Sequence, residues 1–209
     1  MAKLIYIKTS PRKDRSHSSK VAKQFVDSYL ESHPKDAYEE INLWDIDLPP
    51  FDGDTIDAKY AVMHQKTQTP GQQKAWQQVT KIVEKFASGD KYIFSIPMWN
   101  FGIPYRLKHY IDIITQPGFA FNVTPQGNYV GLVTGKPVIL VYSSGGAYHP
   151  GSGAEGFDQQ KPYMKLWLQF IGFKDIREIV VDGTTGDSAK AKQIQDACLK
   201  EAAEIAKDF

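Results

Sequence analysis

Five short apolar runs, each followed by a stretch whose apolar residues recur at helical spacing, constrain this 209-residue chain more than any other feature. LIYI (4–7) precedes a helical pattern from about Ser18, with Val21, Ala22, Phe25, Val26, Tyr29 and Leu30 on one face. AYEEINL (37–43) alternates in polarity as an edge strand does, and residues 71–87 then place Trp76, Val79, Ile82, Val83 and Phe86 on a helical face. YIFSI (92–96) leads to a helix from Pro104, VILVY (138–142) to one around 160–172, and EIVV (178–181) to a last one at about 188–207. Spacing of i, i+3, i+4 marks the helices, and unbroken apolar runs mark strands covered on both faces.

Strict alternation of strand and helix predicts an α/β fold: a three-layer sandwich whose five-stranded parallel sheet carries helices on both faces, because right-handed crossovers lay each helix against the sheet. Five strands suit the order 2-1-3-4-5, in which ligands bind beyond the carboxyl ends of the strands at the switch between strands 1 and 3. Residues 1–209 read as a single domain, with neither an internal repeat nor a composition shift. The connections 44–70 and 116–136 are longer than ordinary loops and read as irregular segments suited to covering a pocket.

Lys and Arg (25) balance Asp and Glu (24), so no net field draws the chain to nucleic acid or an anionic membrane. The apolar core of MAKLIYIKTS is too short for a signal peptide, and no run approaches the length of a membrane span, so a cytoplasmic protein is expected. Cys198 is the single cysteine, which excludes an intrachain disulfide and a thiolate metal cluster. It falls in a helical pattern with Ile194, Ala197 and Ile205 and reads as a small buried hydrophobe. No metal site is expected.

Three stretches fall at the carboxyl ends of strands. The first, from Thr9 to Ser18, brings hydroxyls, the cations Arg12, Lys13 and Arg15, and a helix N-terminus together, a combination that suits a phosphate. It contains neither GxGxxG nor GxxxxGK[ST], so the dinucleotide fingerprint and the P-loop are both absent. Ser16 or Ser18 acting only as a helix cap is the alternative.

The second stretch, Pro97, Met98, Trp99, Asn100 and Phe101, forms the turn between the third strand and the helix that Pro104 opens. Aromatic and thioether faces beside an amide suit a flat, amphipathic ring. In the third, Ser143, Ser144, Gly145 and Gly146 end the fourth strand, and the two glycines allow close approach of backbone to a planar ligand.

These motifs resemble those of the FMN-dependent NADH azoreductases, also described as FMN-dependent NADH:quinone oxidoreductases, a flavodoxin-like family. The resemblance covers nearly the whole chain. Ser10, Ser16 and Ser18 match the S-x5-S-x-S phosphate loop, with His17 between. PMWNF at 97–101 matches the flavin-ring turn P-M-Y-N-F, and Ser143–Gly146 match S-x-G-G; G-L-V-x-G-K at 131–136 is also similar. Trp99 stands where the family usually has Tyr, and Ser144 where Arg is often seen, which bears on substrate preference more than on flavin binding.

The resemblance implies FMN as cofactor, NADH or NADPH as donor, and two-electron transfer to quinones and aromatic azo compounds by a ping-pong mechanism. It also implies a homodimer whose active sites are completed by aromatic residues; Phe119, Phe121, Tyr148 and Phe157 are the candidates for lining a flat substrate. The Asn100 N–H is expected near the reactive edge of the flavin, and the Gly145-Gly146 turn near the side where negative charge develops. His149 is a candidate proton donor, whereas His109, inside a helix, reads as structural. A flavodoxin-like electron carrier, a flavin reductase that releases its flavin, and a flavin-free relative are the alternatives; electron carriers are usually shorter and strongly acidic.

Overall fold

The computed structural model describes residues 1–209 and contains a five-stranded parallel sheet built from β1 (Lys3–Lys8), β2 (Ala37–Asn42), β3 (Lys91–Pro97), β6 (Val138–Ser143) and β7 (Ile176–Val181) in the order β2-β1-β3-β6-β7. All four pairings are parallel. This is the expected 2-1-3-4-5 arrangement, with a short antiparallel hairpin of β4 (Phe121–Val123) and β5 (Tyr129–Gly131) inserted between the third and fourth strands of the sheet.

Alternate residues of the strands face opposite layers. Leu4, Tyr6, Ile93, Ile139 and Val141 pack against α1 (His17–Ser32) and α6 (Ser188–Lys207), whose Phe25, Tyr29, Cys198 and Ala202 complete one buried cluster. Ile5, Ile7, Phe94 and Leu140 face α3 (Pro70–Ala87), α4 (Tyr105–Ile114) and α5 (Gln160–Ile171), with Phe86, Tyr110 and Trp167 at the centre of the larger cluster. Cys198 lies in the first cluster at 6 % exposure, its thiol directed at Val180 O, as its helical pattern predicts.

Both long connections contain regular structure that the apolar pattern does not reveal. Residues 44–70 include a sixth helix, α2 (Gly53–Met63). It buries only Thr55, Ala58 and Ala61, so no stripe of large apolar residues marks it; Asp52 caps it by accepting from Thr55 N–H at 3.2 Å. Residues 116–136 include the β4-β5 hairpin, which rests on the C-terminal end of α5: Val133 N–H donates to Ile171 O at 2.8 Å. A side chain at Gly131 would strike the backbone of Ile171 and Gly172 there. Pro104 occupies the cap of α4 rather than its first helical position.

Register fixes where the functional loops emerge. Lys8 is level with Ser95, Pro97 with Ser143, and Ser143 with Val181, so the loops after β1, β3, β6 and β7 leave from one edge of the sheet. That edge holds the three stretches singled out from the sequence.

Candidate functional site

The loop after β1 reaches α1 through a short 3-10 turn (Lys13–Arg15). Ser16 caps α1, its Oγ accepting from Ser19 N–H at 3.3 Å and lying 3.3 Å from Ser18 Oγ. The capping alternative is therefore true of Ser16. The N–H groups of His17 and Ser18 open the helix, where backbone donors have no intrahelical acceptor and the helix dipole favours negative charge.

The loop after β3 answers why Met, two large aromatics and an amide occupy an exposed turn. Asn100 (φ 47°) and Phe101 (φ 69°) are both left-handed, and Trp99 and Gly102 exchange backbone hydrogen bonds of 2.9 and 3.0 Å around them. This is a two-residue turn of the I′ type. The left-handed backbone costs about 1–2 kcal/mol at a residue such as Phe. Two tethers hold it in place: Met98 N–H donates to Ser143 O at 2.7 Å, and Gln159 N–H to Phe101 O at 3.0 Å.

The loop after β6 is closed against the loop after β7. Ser144 N–H donates to Val181 O, Thr185 N–H to Gly145 O and Gly183 N–H to Gly146 O, each at 3.0 Å. Ser144 Oγ turns inward to Gly146 O at 2.8 Å. Close approach favours both glycines: a Cβ on Gly145 would lie 2.5 Å from Thr185 Oγ1, and one on Gly146 would lie 3.0 Å from the Tyr148 ring, which would have to shift to admit it.

These loops enclose a cavity of about 130 Å³. Ser10, Ser16 and His17 line it from the first loop, Pro97, Met98 and Trp99 from the second, and Ser143, Ser144 and Gly145 from the third. Ser18 is fully buried behind Ser16, and Asn100 turns instead toward a neighbouring groove. Phe101 is half exposed, and Gly146 is exposed outside the lining, beside Tyr148.

Arg12, one of the cations noted in the first loop, also lines the cavity, as do Thr184 and Thr185, which sequence reasoning passed over. The two threonines belong to DGTTGD after β7, and their position after a predicted strand, at the same edge, is the signal that finds them.

The groove, of about 560 Å³, shares Trp99 with the cavity and is bounded by Ile103, Tyr105, Lys108 and Tyr163. Trp99 belongs to an aromatic trio with Trp44 and Tyr105, their ring centroids 5.6 to 6.1 Å apart. Trp44 Nε1–H donates to Thr9 O at 2.9 Å, and Arg106 fastens the same segment through Leu43 O and Ile46 O. His109 is structural as expected, its Nε2 lying 2.9 Å from Pro49 O.

The substrate-lining candidates divide. Tyr148 and Phe157 flank Phe101, with ring centroids 6.4 and 5.4 Å away. Phe119 and Phe121 do not join them within one chain, because the hairpin that carries Phe121 packs at the far end of α5, where Phe121 meets Phe170 at 4.9 Å. His149 Nδ1 lies 3.0 Å from Asp182 Oδ2, which also accepts from Tyr148 N–H at 3.0 Å. Desolvation pushes the Asp182 carboxyl up, but these hydrogen bonds outweigh it and hold the group below the usual carboxylate range.

A second cavity of about 250 Å³ opens between α1 and β2, with Lys13 and Asp14 of the loop after β1 in its wall; among its other charges Lys8 pairs with Glu40 and Lys23 with Asp27.

The sequence profile of the flavodoxin-like fold matches residues 2–205. The chain is 45 % identical over 209 residues to the FMN-dependent NADH:quinone oxidoreductase of Desulfotalea psychrophila, covering 100 % of this chain and 98 % of that protein. The chain belongs to this flavodoxin-like family. The corresponding protein of Nitratidesulfovibrio vulgaris is also 45 % identical, over the whole of both chains. Among solved structures, an azoreductase from Bacillus anthracis superposes with a TM-score of 0.93 at 31 % identity over 100 % of both chains. An FMN-dependent NADH-azoreductase from the same species, in complex with FMN, gives 0.88 at 30 % identity over 100 % of this chain and 99 % of that one.

Proposed function

We propose that the protein is an FMN-dependent NADH:quinone oxidoreductase that also reduces aromatic azo compounds, with residues 1–209 acting as one flavin-binding domain. The observation that carries this reading is the cavity in which the N-terminus of α1 faces Pro97, Met98 and Trp99 of the loop after β3 and Ser143, Ser144 and Gly145 of the loop after β6. A phosphate fits the first of these, a planar ring the other two, and relatives of full length are named for the same cofactor.

Ser10 Oγ, the N–H groups of His17 and Ser18, and the Arg12 guanidinium hold the phosphate; Ser16 shapes the loop by capping α1. Met98 and Trp99 hold the ring, and the backbone N–H groups of the Gly145-Gly146 turn stabilise negative charge that develops on it. When bound, FMN supplies the two-electron chemistry, accepting hydride from NADH and passing the electrons to the acceptor. The protein's share is positioning: Trp99, Tyr105 and Tyr163 form the walls against which the flat substrates rest in turn, giving a ping-pong cycle. His149, held by Asp182, delivers a proton to the reduced acceptor.

The active unit is a homodimer. Phe119, Tyr129, Val130 and Leu166 are exposed and would be buried against a second copy in this reading. No helix is long and apolar enough to cross a membrane, and the cytoplasm, where NADH is available, is the proposed location.

The deciding experiment is the visible spectrum of the purified protein before and after anaerobic NADH, followed by a benzoquinone. Flavin bands that bleach with NADH and return with quinone support the reading. A protein that stays colourless after addition of FMN overturns it.

A further inference from the structure

Gln195 stands where an apolar residue is expected. It projects from α6 into the interface with α1, is 9 % exposed, and leaves its Nε2 buried without a partner. Its single polar contact is Oε1 at 2.6 Å from His17 Nδ1. His17 in turn lines the cavity assigned to the phosphate, so the pair links the α1–α6 interface to the cofactor site.

A neutral imidazole carries one proton, and a partner at one nitrogen decides which nitrogen has it. With Oε1 against Nδ1, the proton sits on Nδ1, and the neutral ring turns the lone pair of Nε2 toward an incoming anion. Half a turn of the carboxamide exchanges its ends. Nε2–H of Gln195 then donates to His17 Nδ1, the ring proton moves to Nε2, and the cavity gains a donor. The rotation also gives the buried amide N–H a partner and leaves a carbonyl oxygen unpaired instead, the milder of the two deficits.

We infer that Gln195 is a positioning residue for the cofactor phosphate: its carboxamide fixes His17 as the Nε2–H tautomer, and that N–H donates to the phosphate. The inference rests on the FMN reading above. It explains a polar side chain in a helix interface that methionine would fill equally well.

The test compares FMN with riboflavin, which lacks the phosphate, in fluorescence titrations of the flavin-free full-length protein. Gln195→Met preserves volume and packing. It is expected to weaken FMN about tenfold, the scale of one charge-assisted hydrogen bond, and to leave riboflavin within twofold. His17→Ala should produce the same selective loss, and the double variant no further loss. Nitrogen-15 NMR of the FMN complex should find His17 protonated at Nε2 in the wild type and a mixture of tautomers in Gln195→Met.

Equal weakening of both flavins by Gln195→Met assigns the residue to packing alone and overturns the inference, as does an Nδ1–H tautomer in the wild-type complex. A wild type that prefers FMN strongly while Gln195→Met keeps the same preference overturns the role of Gln195 and leaves the FMN reading standing. A wild type that binds neither flavin overturns both.

Discussion

Trp99 and Gly102 donate backbone hydrogen bonds to each other, at 2.9 and 3.0 Å, and so force Asn100 and Phe101 between them into the left-handed region. Asn tolerates that conformation through its short polar side chain, and β-branched residues do not. Asn100→Val should therefore distort the turn and raise the FMN dissociation constant at least tenfold in a fluorescence titration. Asn100→Gly, which accepts φ 47°, should stay within about threefold of the wild type.

Gly145 faces Thr185 across the two zipped loops. Gly145→Ala puts a methyl 2.5 Å from Thr185 Oγ1 and should cost about 1–3 kcal/mol, seen as a fall of several degrees in Tm. Thr185→Ala removes that oxygen, so the double variant should recover most of the loss. A purely additive double variant would show that the cost of the methyl does not come from Thr185 Oγ1.

Asp182 predicts an acid-side effect on stability. Its carboxyl is held below the ordinary value in the folded protein despite desolvation, so its contribution is present above the unfolded value near pH 4 and disappears as pH falls through the lower folded value. Thermal unfolding between pH 5 and pH 2 should therefore decline more steeply in the wild type than in Asp182→Asn. Equal slopes would remove the linkage.

Burial pushes the Cys198 thiol up to about 11, leaving under about 1 % thiolate at pH 8. Iodoacetamide at that pH should leave the native protein unmodified for hours and label it promptly in guanidinium. Mass spectrometry reads the difference directly.

Tyr105 is 63 % exposed at the outer side of the groove, beyond Trp99. Tyr105→Ala should raise KM for acceptors of two or three fused rings several-fold and leave benzoquinone, which reaches only Trp99, nearly unchanged. A uniform change in kcat for both would assign Tyr105 to the fold of the turn.

The sequence displays what repeats at short range. Runs such as VILVY and the spacing of Val79, Val83 and Phe86 show the sheet and most helices, because burial on one face or two leaves a period. α2 is invisible by this rule because small residues suffice for its contact with α3, although Asp52 before Gly53 is a cap signal in its own right. At the cavity, Ser10, Ser16, His17, Pro97, Met98, Trp99, Ser143, Ser144 and Gly145 are legible because each group lies within one short stretch of chain. Thr185 and Gln195 are not, since they acquire a role only when β7 docks beside β6 and α6 lies along α1. Where Phe119 and Phe121 act is not legible from one chain either: the hairpin's contact with the end of α5 sets Phe121 against Phe170, away from the cavity of its own chain.

The zipping of the loop after β6 to the loop after β7 also orders events during synthesis. Ser10 leaves the ribosome early, Thr185 only after the last strand of the sheet, and the helix bearing Gln195 later still. No nascent chain can assemble the cavity before all five strands of the sheet have been made, so the ligand cannot be acquired while only the first β-α units have emerged.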